Sequence, residues 1–205
     1  MISNSYELLL LLREENLLKN SPKYWWDGVG SFKIVISAIL TQNTRWENVE
    51  KSLKNLDNYL ELDDFLTLDE KVLANLIKPS GFYNQKAKRL ILLAKNIKKE
   101  FYDFENFKDN VDREWLLNQK GIGFESADAI LCYGCFRETM VVDKYTQKLL
   151  KKYGYEFYDY EELKEWCERG IIENWSKVSS LYEYNLNLCF ARFHGKIVEK
   201  VKKWK

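Results

Sequence analysis

The sequence has little of what interrupts helices. Among its 205 residues are two prolines, Pro22 and Pro79, and nine glycines. A chain rich in Leu, Lys and Glu with so few breakers favours helices. It lacks any run of about 18 apolar residues, the length that spans a bilayer. Its first dozen residues lack the basic start and small-residue cleavage site of a signal peptide. A reducing cytoplasm is therefore the expected compartment, with Cys132, Cys135, Cys167 and Cys189 as free thiols. One histidine, His194, and no G-x-S-x-G segment exclude the usual hydrolase triad. No Walker phosphate loop is present. The formal net charge is +1, so no basic excess announces nucleic acid. The 32 Lys and Arg can still be sorted onto one face, and main-chain amides can hold phosphate.

What is present is an ordinary globular composition, 46% hydrophobic and 31% charged. The length suits one bipartite domain or two small ones with a sizeable core. Apolar spacing predicts helices over 5–15, 32–40, 46–56, 63–66, 69–77 and 85–101, and three or four more within 144–205. No set of alternating strands is visible, so the expected fold class is all-α. An aromatic cluster, Tyr24-Trp25-Trp26, follows Pro22.

Residues 111–135 carry the strongest pattern. A short helix over 111–119, anchored by Trp115 and Leu116, is broken at Gly121-Ile122-Gly123, and a second helix follows from Glu125. Two glycines permit positive φ and close approach of a ligand to the backbone. The second helix would aim free N–H groups and its positive dipole end at the same point. The amides of Gly121, Gly123 and Ser126 are then candidates for holding a phosphodiester. The spacing alone fits equally a plain helix corner with a glycine cap.

The segment Leu117 to Leu131, leading into Val141-Val142-Asp143-Lys144-Tyr145, resembles the hairpin-and-aspartate signature of the endonuclease III superfamily of DNA glycosylases. Gly81-Phe82-Tyr83-Asn84-Gln85-Lys86-Ala87 resembles its G-x-Y-x-x-K-A segment. Ile39-Leu40-Thr41-Gln42-Asn43-Thr44 resembles its early helix and glutamine loop. Within that superfamily, Lys78 to Leu90, Ala191 to Glu199 and Tyr24-Trp25-Trp26 are similar to the 3-methyladenine DNA glycosylases of the MagIII type.

The resemblance implies an all-α fold of two helical subdomains. A six-helix barrel-like domain at 31–135 would end in the helix-hairpin-helix. Residues 1–30 and 136–205 would form the second domain, with an interdomain active-site cleft holding an extruded base. It implies double-stranded DNA with alkylated bases as the partner of a monomer that needs no membrane. The implied reaction is hydrolysis of the N-glycosidic bond in base excision repair.

Cleaving that bond builds positive charge on the sugar, which a carboxylate stabilises, and Asp143 is the expected catalytic residue. Its other reading is a helix N-cap, and it can serve as both. Superfamily members that also nick the strand carry a lysine where Glu125 stands here. Glutamate cannot form a Schiff base, so a monofunctional enzyme is expected. Glu125 is grouped with the pocket residues but given no catalytic step; a first-turn acid also suits the helix dipole. The rivals are a bifunctional glycosylase/lyase and a non-catalytic hairpin module that grips DNA.

An N3- or N7-alkylated purine is cationic, and aromatic faces attract it. Trp25, Trp26 and Trp46 are the expected pocket walls, although tryptophans are as often core. The resemblance makes Gln42 the wedge that replaces the flipped base and Lys86 a phosphate contact. Lys196 and Lys202 would approach the pocket. A buried Lys196 would lose its charge readily, and the neutral amine could add carbon dioxide. The closely spaced terminal cysteines of iron–sulfur relatives are missing, so no cofactor is expected. A monovalent cation on the carbonyls of Leu117, Gln119 and Ile122 follows from the resemblance alone.

Overall fold

A computed structural model describes residues 2–204. Thirteen α-helices and no strand occur among the described residues. In chain order they are α1 (Ser5–Glu14), α2 (Phe32–Leu40), α3 (Trp46–Asn55), α4 (Leu62–Phe65), α5 (Glu70–Leu76), α6 (Tyr83–Phe101), α7 (Phe104–Asn110), α8 (Arg113–Leu117) and α9 (Phe124–Ala129). The chain finishes with α10 (Lys144–Lys152), α11 (Tyr160–Ile172), α12 (Trp175–Val178) and α13 (Leu186–Lys202).

Short polar side chains write the helix starts. Asn4, Asp69, Asp103, Asp112, Asp143, Asp159 and Asn185 each accept a hydrogen bond from the amide three residues on. Each bond satisfies a donor the helix itself cannot pair. One such start was not expected: α7, where Asp103 caps a turn that buries Phe104 and Phe107. The first hairpin helix is also shorter than the 111–119 expected, because Asp112 caps it and delays its start to Arg113. The second hairpin helix widens after Ala129 into a π turn over Ile130–Gly134, where the Cys135 amide donates to the Ile130 carbonyl five residues back.

The chain divides into two compact units, one of Gly28–Cys135 and one of Met1–Asp27 with Phe136–Lys205. In the first, α2 is buried on nearly every side, and Phe32 meets Phe65 and Phe104 edge-on at 5.4 and 6.0 Å. The Gly30 amide donates to the Tyr133 carbonyl, tying the unit's two ends together. In the second, Leu8, Leu9 and Leu12 of α1 join Leu149, Leu163, Phe190, Phe193 and Ile197 in one apolar core. Polar ties join its two chain segments: Lys200 Nζ lies 2.5 and 2.7 Å from the Glu15 carboxylate oxygens, and Arg192 donates to the Lys23 carbonyl. No helix among the described residues is long and apolar enough to cross a membrane.

Candidate functional site

In the discontinuous unit, α10 packs on α13, and this sets Asp143 beside His194. Asp143 is the N-cap of α10 in a full capping box with Thr146. Its Oδ1 accepts from the Thr146 amide at 2.8 Å and hydroxyl at 3.0 Å, while Oδ2 lies 3.3 Å from His194 Nε2. Burial pushes the Asp143 carboxyl up. The His194 ring and the Thr146 donors outweigh it and hold the carboxyl below its usual value. The residue is thus a fixed, ionised carboxylate as well as a cap.

Trp25, in the segment between α1 and α2, packs against α13. Its φ is +74°, a conformation that costs a bulky side chain about 1–3 kcal/mol. The indole lies against Gly195, where a Cβ would come 2.5 Å from Trp25 Cγ. Glycine inside a helix costs about 1 kcal/mol relative to alanine; here it admits the ring. His194 meets the indole edge-on at 5.3 Å, and Trp26 tilts against it at 6.2 Å. Glu199 and Lys202, four and seven residues past Gly195, share its helix face. Glu199 accepts from Trp25 Nε1 at 3.4 Å and from Lys202 Nζ at 2.9 Å, and Lys202 Nζ lies 6.0 Å from the indole centroid. Trp25 and Trp26 are both half-buried, unlike the fully buried aromatics of the cores.

Thus Asp143, Trp25, Trp26 and Lys202 fall in one unit, joined there by His194, Gly195 and Glu199. Sequence reasoning assigned no role to these last three. The usable signal is the segment Ala191 to Glu199, which contains all three and carries the chain's single histidine.

Lys196 lies on α13 of the same unit, buried, and the remaining expected residues lie in the other unit. Gln42 is held on the hairpin: its Nε2 donates to the Gly121 carbonyl at 2.9 Å and the Ser126 hydroxyl at 3.0 Å. Arg89 Nη1 donates to its Oε1 at 3.4 Å. Arg113 holds Asp128 through two bonds of 2.8 and 3.0 Å, clamping α8 to α9. Trp46 is half-buried as the first residue of α3, and Glu125 is exposed in the first turn of α9.

Two expectations require correction. Only one of the hairpin glycines has positive φ. Gly121 sits at +87°, and a Cβ there would come 2.5 Å from Arg89 Cδ. Gly123 is the N-cap of α9 at φ −104°, extended backbone open to any residue, and a Cβ there meets nothing within 4 Å. Gly121→Ala should therefore destabilise the protein by about 1–2 kcal/mol, and Gly123→Ala by less than about 0.5 kcal/mol. Denaturant unfolding of both variants checks the contrast.

Lys86, expected on phosphate, is 2% exposed. Its Nζ donates to the Leu40 carbonyl, the Ser80 carbonyl and the Thr44 hydroxyl at 2.8, 2.9 and 2.7 Å. Burial, with Arg89 nearby, lowers its pKa to about 8. It is an internal clip for the glutamine loop. Lys86→Met should cost about 2–4 kcal/mol by stranding those acceptors. A phosphate contact would instead leave stability intact and lower the salt slope of DNA binding by roughly one. Beside the same loop Phe82 is 67% exposed at φ +46°, within the stretch tied to Thr44 through the Ser80 carbonyl.

Among the described residues no group of three or more His, Cys, Asp or Glu could hold a metal ion. All four cysteines are buried. Burial pushes the Cys167 thiol up, and the Cys189 thiol up to about 12.

A profile described as HhH-GPD superfamily base excision DNA repair protein matches residues 36–175. A relative in Methanocaldococcus jannaschii, named as a DNA repair glycosylase, is 36% identical over all of this chain and 91% of its own. Endonuclease III of Thermotoga maritima is 27% identical over 77% of this chain and 74% of its own. The crystal structure of the Helicobacter pylori 3-methyladenine DNA glycosylase MagIII, bound to 1,N6-ethenoadenine, superposes with a TM-score of 0.95. The two are 50% identical, and the match covers 99% of each chain.

Proposed function

The chain belongs to the HhH-GPD superfamily of base excision DNA repair proteins, and on that premise we propose that it is a monofunctional DNA glycosylase for alkylated purines, 3-methyladenine foremost. The observation that carries this reading is the pairing, in one unit, of an ionised Asp143 with the strained, half-buried Trp25. Likeness to a 3-methyladenine glycosylase along the whole chain supports the choice of substrate.

The chemistry divides simply. A purine methylated at N3 is cationic and leaves readily, so the protein supplies extrusion, stacking and charge. Trp25 and Trp26 present faces that attract the cation; Trp46 is a candidate for a further stacking face. As the C1′–N bond breaks, the Asp143 carboxylate stabilises the positive sugar and takes a proton from the attacking water. The water oxygen joins C1′, and the products are a free base and an abasic site on an uncut strand. Lys202, paired with Glu199, borders the indole. Gln42 and the exposed Phe82 suit filling the gap in the duplex, and the amides of Gly121, Gly123 and Ser126 suit the phosphate backbone.

Glu125 stands where strand-nicking relatives carry lysine and offers no amine for a covalent sugar adduct. No cofactor takes part in this reading: the chain lacks the closely spaced terminal cysteines that hold an iron–sulfur cluster in some relatives. A monovalent cation on the carbonyls of Leu117, Gln119 and Ile122 would reinforce the hairpin's grip on a phosphate.

The test is incubation with methylated duplex DNA, assayed before and after alkali. Free base with a nick appearing only after alkali is the expected result, and borohydride should trap no protein on DNA. A nick without alkali, or a trapped adduct, assigns lyase chemistry; no base release from any damaged duplex leaves a binding module. Gly123→Ala adds a second reading, because the hairpin would read phosphate and not base. Its affinities for damaged and undamaged duplex should fall together.

A further inference from the structure

Glu199 takes no step in the reaction above, yet it touches two residues of the base pocket. One of its oxygens, Oε1, faces both Trp25 Nε1 at 3.4 Å and Lys202 Nζ at 2.9 Å. The Lys202 contact is an i,i+3 ion pair near the end of α13, with the lysine side chain 38% and the glutamate side chain 31% exposed. Ion pairs this open to solvent contribute little to folding. The other lysine of that last turn, Lys200, is engaged by Glu15. Among the described residues, Glu199 is therefore the acid that balances Lys202.

The pair stands close to where a base would stack. Lys202 Nζ lies 6.0 Å from the Trp25 ring centroid. A base stacked on that ring stands within roughly 10 Å of the ammonium, about one Debye length in 0.1 M salt. A bare Lys202 would repel a cationic base and leave a neutral one unaffected. The Glu199 carboxylate cancels that charge. It also accepts the indole N–H, the polar end of a ring otherwise held by Gly195 beneath it and by the edge of His194. The indole bond is the longer of the two, so the effect on charge is the larger one.

We propose that Glu199 is a specificity-determining residue: by neutralising Lys202 it lets the Trp25 face take a cationic base in preference to a neutral one of the same ring system. The assignment rests on the alkylated-purine reading above. Titration calorimetry of the full chain with free bases tests it. The probes are 9-methyladenine, which is neutral, and the same base methylated also at N3, which is cationic at neutral pH. Glu199→Gln keeps an acceptor for the indole and removes only the charge. It should weaken binding of the cation roughly three- to twenty-fold and leave the neutral base nearly unchanged. That loss should shrink as salt rises. Lys202→Met should strengthen binding of the cation, because the Glu199 charge is then unopposed. Combining the two substitutions should return most of the native preference, a rescue that a purely structural role would not produce. Equal weakening of both bases in Glu199→Gln overturns the assignment. So does native affinity for the cation in that variant, or a double variant no better than Glu199→Gln. Base release from methylated duplex, assayed alongside, tells the two levels apart. None from the native protein overturns the alkylated-purine reading, whereas release together with any of those three patterns overturns the role of Glu199 alone.

Discussion

Asp143→Asn should lower single-turnover base release by about 10²–10³-fold, the usual worth of a preorganised group aimed at developing charge. The substitution separates the residue's two roles. Asparagine is as good an N-cap as aspartate, so the bond from the Thr146 amide survives and α10 keeps its start. What disappears is the negative charge, together with the acceptor that His194 now faces across 3.3 Å. Duplex binding should be unchanged, and the midpoint of unfolding should fall by no more than a few degrees. Because the carboxyl is held below its ordinary value, its contribution to stability is present above the unfolded pKa and lost only as pH falls through the folded one. Comparing midpoints near neutral pH therefore captures that contribution in full. Single-turnover release near the native rate would remove Asp143 from the mechanism.

Trp25→Ala should be the next most damaging change, and selectively so. A stacked aromatic is worth roughly 1–3 kcal/mol per base, about ten- to a hundred-fold in rate, and a cationic base gains more than a neutral one. Release of 3-methyladenine should therefore fall further than release of a neutral lesion such as hypoxanthine, narrowing the preference between them. The backbone supplies a control. Alanine at φ +74° keeps the strain, whereas glycine has no such penalty. Trp25→Gly should unfold at a higher temperature than Trp25→Ala yet be equally poor at base release. If the two lesions instead decline in parallel, with a midpoint loss on the scale of about 3–5 kcal/mol for a deleted core indole, Trp25 is core and the pocket lies elsewhere.

The helical class was legible because breakers are rare and apolar spacing is regular along most of the chain. The hairpin was legible because glycines interrupt it at a recognisable interval, and Asp143 because its neighbours resemble a known signature. What escaped were features made by contact. Gly195 reads in sequence as a weak point in a helix; only the indole lying against it explains the residue. Lys86 reads as an exposed base, and three acceptors from two loops turn it inward. Gly123 resembles its neighbour Gly121 in every sequence property, yet the chain turns left-handed at one and not the other. The helix α7 was missed because its two phenylalanines make too short a pattern to stand out without the Asp103 cap. The cases of Gly195, Lys86 and Gly123 depend on residues distant in sequence or on a backbone angle, and neither has a local signature.

The loop that carries Gln42 is anchored from both directions, by Lys86 gripping the Leu40 carbonyl and Thr44 hydroxyl, and by Gln42 itself on the hairpin. Its conformational entropy is therefore spent during folding and not at the moment of encounter with a duplex. Such a loop behaves as part of a rigid surface. Encounter should then be governed by diffusion and by the ionic atmosphere of DNA, slowing as salt rises. The slow event is left to the nucleotide, whose unstacking is easiest where a lesion has already weakened its pairing. A protein built this way samples DNA by testing which bases come out, and brings little of its own motion to the search.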